Sequence, residues 1–137
     1  MPCNYVVLQE GRMIVERWVG ALSYEALILH KSQLRLNPDI QAPASVLSDC
    51  TLATVEITPE AIDRLSAQEQ YHQGQAVQRY AFLVKPAVYE RVQRFGHGVS
   101  PIGKSVRIFN HLDPACRWLE LNPVEIKELL ASLDARA

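Results

Sequence analysis

The most informative stretch of this sequence is YAFLVKP, residues 80–86. Its first five residues are apolar and are flanked by Arg79 and Lys85, a pattern typical of a central strand that helices cover on both faces. Pro86 ends the strand and can occupy the first position of a following helix. The stretch therefore predicts a buried strand of a parallel sheet and a helical crossover after it.

Helical patterns stand on both sides of this strand. Thr58, Pro59 and Glu60 supply an N-cap, a proline at the first helical position and an acid in the first turn, so a second helix is predicted to begin there. Its core-facing residues are predicted to be Ile62, Leu65 and Tyr71, whereas its far end, including Gln68, Glu69, Gln70, His72 and Gln73, is predicted to be solvated. After Pro86, a third helix is predicted to close at GHG, residues 96–98.

The N-terminal region predicts a β-hairpin and a first helix. An apolar run at 5–8 and an alternating pattern at 12–19 are the two strands. Gly20 is predicted to break the second strand, and Ser23 can cap a helix over 24–36.

The rest of the chain completes an alternating order of strands and helices. A strand over 44–49 is followed by a predicted loop over 50–57, and a last strand over 106–109 precedes amphipathic helices over 112–119 and 123–135. Strands that alternate with helices require crossover connections. The sequence therefore predicts one α/β domain over residues 1–137, with a mixed, mostly parallel sheet of four to five strands. The final helix is an extension that can cover its own sheet or that of a neighbour.

Composition limits the classes of function. The 137 residues are 48% hydrophobic and 21% charged, with a formal net charge of -1, so no overall field attracts nucleic acid. No apolar run reaches the length of a membrane span, and we expect a cytoplasmic protein. Cys3, Cys50 and Cys116 lack the spacing of zinc ligands and are predicted to be reduced thiols, the last two in the core.

No catalytic motif is present in the sequence, and we expect neither an enzyme, nor a metal site, nor a cofactor. His30 and His72 are predicted to lie on helix surfaces, and His97 and His111 in loops. The scattered basic residues, Arg12, Arg17, Arg91, Arg94, Lys104 and Arg107, are predicted to be solvated. Trp18 and Trp118 are predicted to pack in or near the core.

Several local strings resemble the SpoIIAA-like group, which embraces STAS domains and their STAS/SEC14-type relatives. The resemblance runs from about Tyr5 to Leu121. Its strings are VGALS (19–23), the strand that closes on Asp49, the strand over 80–84, and VRIF (106–109) followed by ACRWL (115–119). None of these strings is a catalytic fingerprint, and the resemblance implies a fold.

The resemblance also implies a function. In STAS domains similar to the anti-sigma-factor antagonist, a partner kinase phosphorylates a serine in an Asp-Ser-Ser-Gly-type loop at the start of the second helix. Asp49 matches the acid at the strand end, but Asp-Ser-Ser-Gly is absent, and Thr58 is the nearest hydroxyl at that helix start. A phosphate on Thr58 would suit the helix dipole, whereas a threonine N-cap is needed for structure alone.

We therefore expect a non-enzymatic STAS-like module that binds a protein partner, or a second copy of itself, through Asp49, Glu56 and Thr58. The alternative is a carrier of a small apolar ligand, as in SEC14-type relatives that hold lipid in an apolar cavity. A chain of this length has little spare volume for such a ligand, and a cleft between the second and third helices would be needed.

Overall fold

The fold is seen in a computed structural model that describes residues 3–71 and 76–134. Five strands form one sheet in the order in which they occur along the chain: β1 (Cys3–Leu8), β2 (Met13–Ser23), β3 (Ala44–Glu56), β4 (Val77–Leu83) and β5 (Ser105–Phe109). β1 and β2 are antiparallel, whereas every other neighbouring pair is parallel. The predicted mixed, mostly parallel sheet and its opening hairpin are confirmed.

Five helices cover the sheet: α1 (Tyr24–Leu36), α2 (Pro59–Tyr71), α3 (Tyr89–Val99), α4 (Leu112–Leu119) and α5 (Pro123–Asp134). Two clusters of buried apolar residues lie on opposite faces of the sheet, one with α2 and α3 and the other with α4 and α5. α1 adds partly buried side chains to the first cluster. The final helix therefore covers its own sheet, and position 135 of the predicted helix lies outside the described residues.

Alternation along the central strands explains the two clusters. In β2, Ile14 and Trp18 belong to the cluster under α1–α3, whereas Met13 and Val15 belong to the cluster under α4 and α5. Successive side chains of a strand point to opposite faces, so a strand buried on both sides is apolar throughout. Trp18 is 1% exposed, which confirms its predicted packing in the core.

The predicted loop over 50–57 is wrong in part, because β3 continues to Glu56. Residues 52–56 pair in parallel with residues 19–23 of β2 after a register shift between Arg17 and Val19. Gly20 does not break β2, which continues through it to Ser23, and its φ of +81° is a left-handed value that glycine adopts without strain. The two strands thus form a ribbon, 19–23 with 52–56, that extends past the last β3–β4 pair, Asp49 with Leu83.

The predicted end of α3 is also wrong. Gly96, His97 and Gly98 lie inside the helix, which runs to Val99. A 3-10 turn follows, and Gly103, with a φ of +82°, supplies the left-handed residue. A Cβ on Gly98 would lie 2.3 Å from Ser66 Oγ, so this glycine is required by the close approach of α3 to α2.

The C-terminal end of α2 departs from the predictions at two residues. Ile62 and Leu65 are buried as predicted, but Tyr71 is 84% exposed. Glu69, predicted to be solvated, is buried, because it follows Ile62 and Leu65 at seven and four residues on the same helix face. His72 and Gln73 lie outside the described residues.

We predict that Gly98→Ala lowers the free energy of unfolding by about 1–3 kcal/mol, because the added methyl group overlaps Ser66 and forces α2 and α3 apart. The measurement is urea denaturation followed by circular dichroism. His97→Ala is the control, since His97 is exposed on the same helix and its truncation leaves stability within about 0.5 kcal/mol of wild type. Equal stability of the two variants would contradict the close contact.

Candidate functional site

A cavity of about 400 Å³ lies between the sheet and helices α1, α2 and α3. This volume falls in the range of about 300–1,000 Å³ that is usual for small-molecule sites. The apolar side chains that line it include Leu22, Leu27, Leu34, Val46, Val55, Ile57, Ile62, Leu65, Phe82, Val84, Val92 and Phe95. The expectation of little spare volume is therefore wrong, and the space lies beneath three helices instead of between two.

Loose packing of α1 accounts for the space. His30 is the buried residue of this helix, while Leu27 and Leu34 are half-buried and line the cavity. On the opposite face of the sheet, Val15, Ala115 and Cys116 are fully enclosed. One face of the sheet is thus filled by side chains, whereas the other leaves an interior volume.

One polar cluster in the cavity wall is centred on Glu16 of β2. Its Oε2 accepts hydrogen bonds from Trp18 Nε1 at 3.0 Å and Ser48 Oγ at 2.7 Å, and its Oε1 lies 2.7 Å from His30 Nε2. Burial raises the pKa of Glu16, but the interaction with His30 and these hydrogen bonds outweigh burial and lower it. Glu16 is therefore a carboxylate in the interior.

His30 is 5% exposed, so its predicted surface position is wrong. Its Nε2 faces Glu16, and its Nδ1 has no hydrogen-bond partner within residues 3–71 and 76–134. The sequence contained one indication of this pair. Glu16 falls on the same strand face as Ile14 and Trp18, and a carboxylate on a buried face requires a partner.

Cys3 completes a group that could offer ligand atoms to a metal ion, since Cys3, Glu16 and His30 place such atoms within 4.8 Å of one another. Hydrogen bonds already occupy both oxygens of Glu16. Burial and the charge of Glu16 raise the pKa of the Cys3 thiol strongly, so the sulfur stays protonated in this setting.

The same group lacks the geometry of a nucleophilic triad. Cys3 Sγ lies 3.7 Å from His30 Nε2, the same nitrogen that faces Glu16. In a Cys-His-acid arrangement, the nucleophile and the acid contact opposite ring nitrogens. We interpret this cluster as a hydrogen-bond network that fixes α1 on β2.

A second polar cluster is centred on Glu69 of α2. Its Oε1 accepts a hydrogen bond from Lys31 Nζ and another from Tyr80 Oη at 3.1 Å, and its Oε2 accepts one from Lys104 Nζ at 2.6 Å. Burial raises the pKa of Glu69, but attraction to Lys31 and the hydrogen bonds of both lysines bring it down to about 2. Lys104 is 6% exposed, so its predicted solvation is wrong.

The architecture matches a solved structure. It is similar to the crystal structure of an uncharacterized protein from the DUF3478 family of Shewanella loihica PV-4, whose fold is described as SpoIIAA-like. The match has a TM-score of 0.57 and 17% sequence identity, and covers 85% of this chain and 93% of that one. This chain has the SpoIIAA-like fold.

The resemblance that the sequence strings indicated is thereby confirmed for the fold. No family model and no curated protein matches the chain. Across residues 3–71 and 76–134, the helices are too short or too polar to cross a membrane.

Within the SpoIIAA-like fold, the three candidate interaction residues lie along β3 and at the start of α2. Asp49 is 2% exposed, lies 3.2 Å from Arg17 Nε, and accepts hydrogen bonds from Thr51 N at 2.9 Å and Thr51 Oγ1 at 2.7 Å. Thr58 Oγ1 caps α2 by accepting a hydrogen bond from Ala61 N at 3.2 Å. Glu56 is exposed where β3 ends.

The structure brings two of these three residues together. Glu56 and Thr58 are neighbours, whereas Asp49 and Glu56 are separated by strand residues that rise about 3.3 Å each, a span of roughly 20 Å. His97, on α3, and His111, next to α4, are exposed and do not line the cavity.

We predict that Glu69→Gln lowers the free energy of unfolding at neutral pH by about 3–5 kcal/mol, because it leaves two lysines in the interior without a carboxylate. The folded pKa of Glu69, about 2, lies below its ordinary value of 4.5, so its stabilisation is present above pH 4.5 and is lost as the pH falls toward 2. The difference between variant and wild type should shrink over that window.

The measurement is urea denaturation at a series of pH values. Glu128→Gln, at an exposed position in the middle of α5, is the control and should follow the wild-type profile. A difference between Glu69→Gln and wild type that does not change over this window would contradict the assigned ion pairs.

Proposed function

We propose that this protein is a non-enzymatic binding module that holds a small apolar ligand in the cavity beneath α1, α2 and α3. The observation that carries the proposal is the cavity itself, about 400 Å³ with a mainly aliphatic and aromatic lining. Apolar surface of this kind gains free energy when a ligand displaces water from it. The resemblance to SEC14-type proteins, which hold lipid in an apolar cavity, agrees with this role.

The chemistry of the cavity wall favours binding over catalysis. The thiol of Cys50 lines the cavity, and burial raises its pKa to about 12, so it is a poor nucleophile at neutral pH. The carboxylates of Glu16 and Glu69 are held by hydrogen bonds from the protein itself. The wall thus offers shape and apolar contact to a ligand.

We predict that Val46→Phe abolishes ligand binding and leaves the fold intact. The side chain of Val46 lines the cavity, and the phenyl ring that replaces it would occupy the space of the ligand. Binding is measured with an apolar dye whose fluorescence rises in dry surroundings, and by native mass spectrometry of gently purified protein. Wild type should bind the dye, and the variant should not.

Val15→Phe is the matched control for packing. Val15 is fully buried in the cluster under α4 and α5, so the same substitution there should cost about 1–3 kcal/mol. If Val46→Phe is destabilised as much as Val15→Phe, the cavity is not open in solution and the proposal is wrong. If wild type does not bind the dye, the proposal is wrong as well.

A second candidate function is protein interaction through the ribbon of residues 19–23 and 52–56 and the start of α2. The ribbon exposes Val19 by 41% and Leu52 by 50%, and β3 pairs with β4 no further than Asp49. Strand edges that extend past their neighbours bind extended segments of other chains. The partner would be another protein or a second copy of this chain, and Thr58 would be the phosphorylated residue of a switch.

We predict that Glu56→Lys combined with Thr58→Asn weakens capture of a partner in a pull-down from the native host. Asparagine retains the N-cap that Thr58 provides, so the loss would not arise from unfolding of α2. Glu128→Lys is the control, because Glu128 is exposed on α5, on the other face of the sheet. Capture that is equal for all three proteins would contradict this role.

A further inference from the structure

A groove between α1 and α2 meets the cavity at a positively charged passage. The groove is lined by Ile28, Lys31, Ser32, Arg35, Ala67, Gln68, Glu69 and Tyr71. Lys31, Arg35 and Glu69 also line the cavity, so these three side chains stand where the groove and the cavity meet. Lys31 and Arg35 are four residues apart on α1 and therefore share one helix face.

The cations of this passage outnumber its carboxylate. Two cations, Lys31 and Arg35, stand at the passage with one carboxylate, Glu69, whose other oxygen is already paired with the buried Lys104. Arg35 is exposed and donates to Ser32 Oγ at 3.3 Å, and no carboxylate of residues 3–71 or 76–134 lies within 4 Å of its guanidinium. The passage thus carries an excess of positive charge in partly dry surroundings.

Lys31 has the capacity to bind a further anion. An ammonium group has three donors, and hydrogen bonding to Glu69 uses one of them. Its Nζ lies 5.3 Å from the ring centres of Tyr80 and Phe95, both of which line the cavity. Burial lowers the pKa of Lys31, but Tyr80 and Glu69 outweigh burial and raise it, so the group is charged at neutral pH.

We propose that the ligand of the cavity is a single-chain amphiphile whose carboxylate binds between Lys31 and Arg35 and whose apolar tail lies in the cavity. This inference rests on the proposed binding function and adds the chemical class of the ligand. A volume of about 400 Å³ lies near the lower end of the range for small-molecule sites, which suits one acyl chain. A carboxylate at the passage neutralises the positive charge that Glu69 leaves unbalanced, and it forms charge-assisted hydrogen bonds with the side chains of Lys31 and Arg35.

The test compares dodecanoate with dodecanol, which have the same tail and differ in the charge of the head. Binding of each is measured at neutral pH by displacement of the apolar dye, below the concentrations at which dodecanoate forms micelles. Wild type should bind dodecanoate at least about tenfold more tightly than dodecanol, because a charge-assisted hydrogen bond contributes more than a neutral one.

Two variants assign this preference to the passage. Lys31→Met retains the Glu69–Lys104 pair, and Arg35→Gln changes an exposed side chain, so both should fold. Each should reduce the preference for dodecanoate over dodecanol, measured as the ratio of the two affinities within the same variant, so that a change of cavity shape that affects both compounds cancels. Arg117→Gln, exposed on α4 on the opposite face of the sheet, should keep the full preference.

The outcomes separate this inference from the proposed function. If wild type binds both compounds equally, the assignment of a carboxylate head is wrong, whereas the cavity remains a binding site. If the preference for dodecanoate survives in both variants, Lys31 and Arg35 are not the head-group residues. If wild type binds neither compound and no dye, the proposed function itself is overturned.

Discussion

Helix α1 is attached to the rest of the molecule by contacts with two buried carboxylates, and the shape of the interior depends on them. His30 faces Glu16 of β2 at 2.7 Å, and Lys31 pairs with Glu69 of α2. Buried contacts of a carboxylate contribute little net stability, because removing the charge from water costs about as much as the attraction of its partners returns. These contacts hold α1 at two side chains, His30 and Lys31, without filling the volume between the helix and the sheet. The position of α1 is thereby set while an open volume remains beside it.

Much of the architecture follows from periodic patterns in the sequence. Apolar alternation in β2, the apolar run over 80–84 and the start signals at 58–60 are local, and the structure contains the two strands and the helix that they predict. The errors arise where a distant contact decides the outcome. β3 continues past Asp49 because β2 continues beside it, and the glycine at 98 is needed inside α3 because Ser66 of α2 is close. Neither contact is visible in the local sequence.

The candidate site was less accessible to prediction than the fold. The three interaction residues are predicted from the resemblance and from the residues of the segment over 49–58, and the structure separates Asp49 from the other two because the segment between them is extended. The cavity depends on the distance at which α1 lies from the sheet, which no local pattern encodes. Glu16 and Glu69 are the residues from which polar groups in the interior could be predicted, since each lies on the same face of its strand or helix as buried apolar residues.

The contact between Gly98 and Ser66 also bears on how such a chain can diverge. A side chain at position 98 would occupy the space of Ser66, so neutral drift at one position is conditional on the residue at the other. Exposed positions such as His97 carry no such condition. A fold can be retained while most residues change, as the shared architecture at 17% identity illustrates. Substitution histories of positions 66 and 98 should therefore be correlated among chains that keep this helix packing.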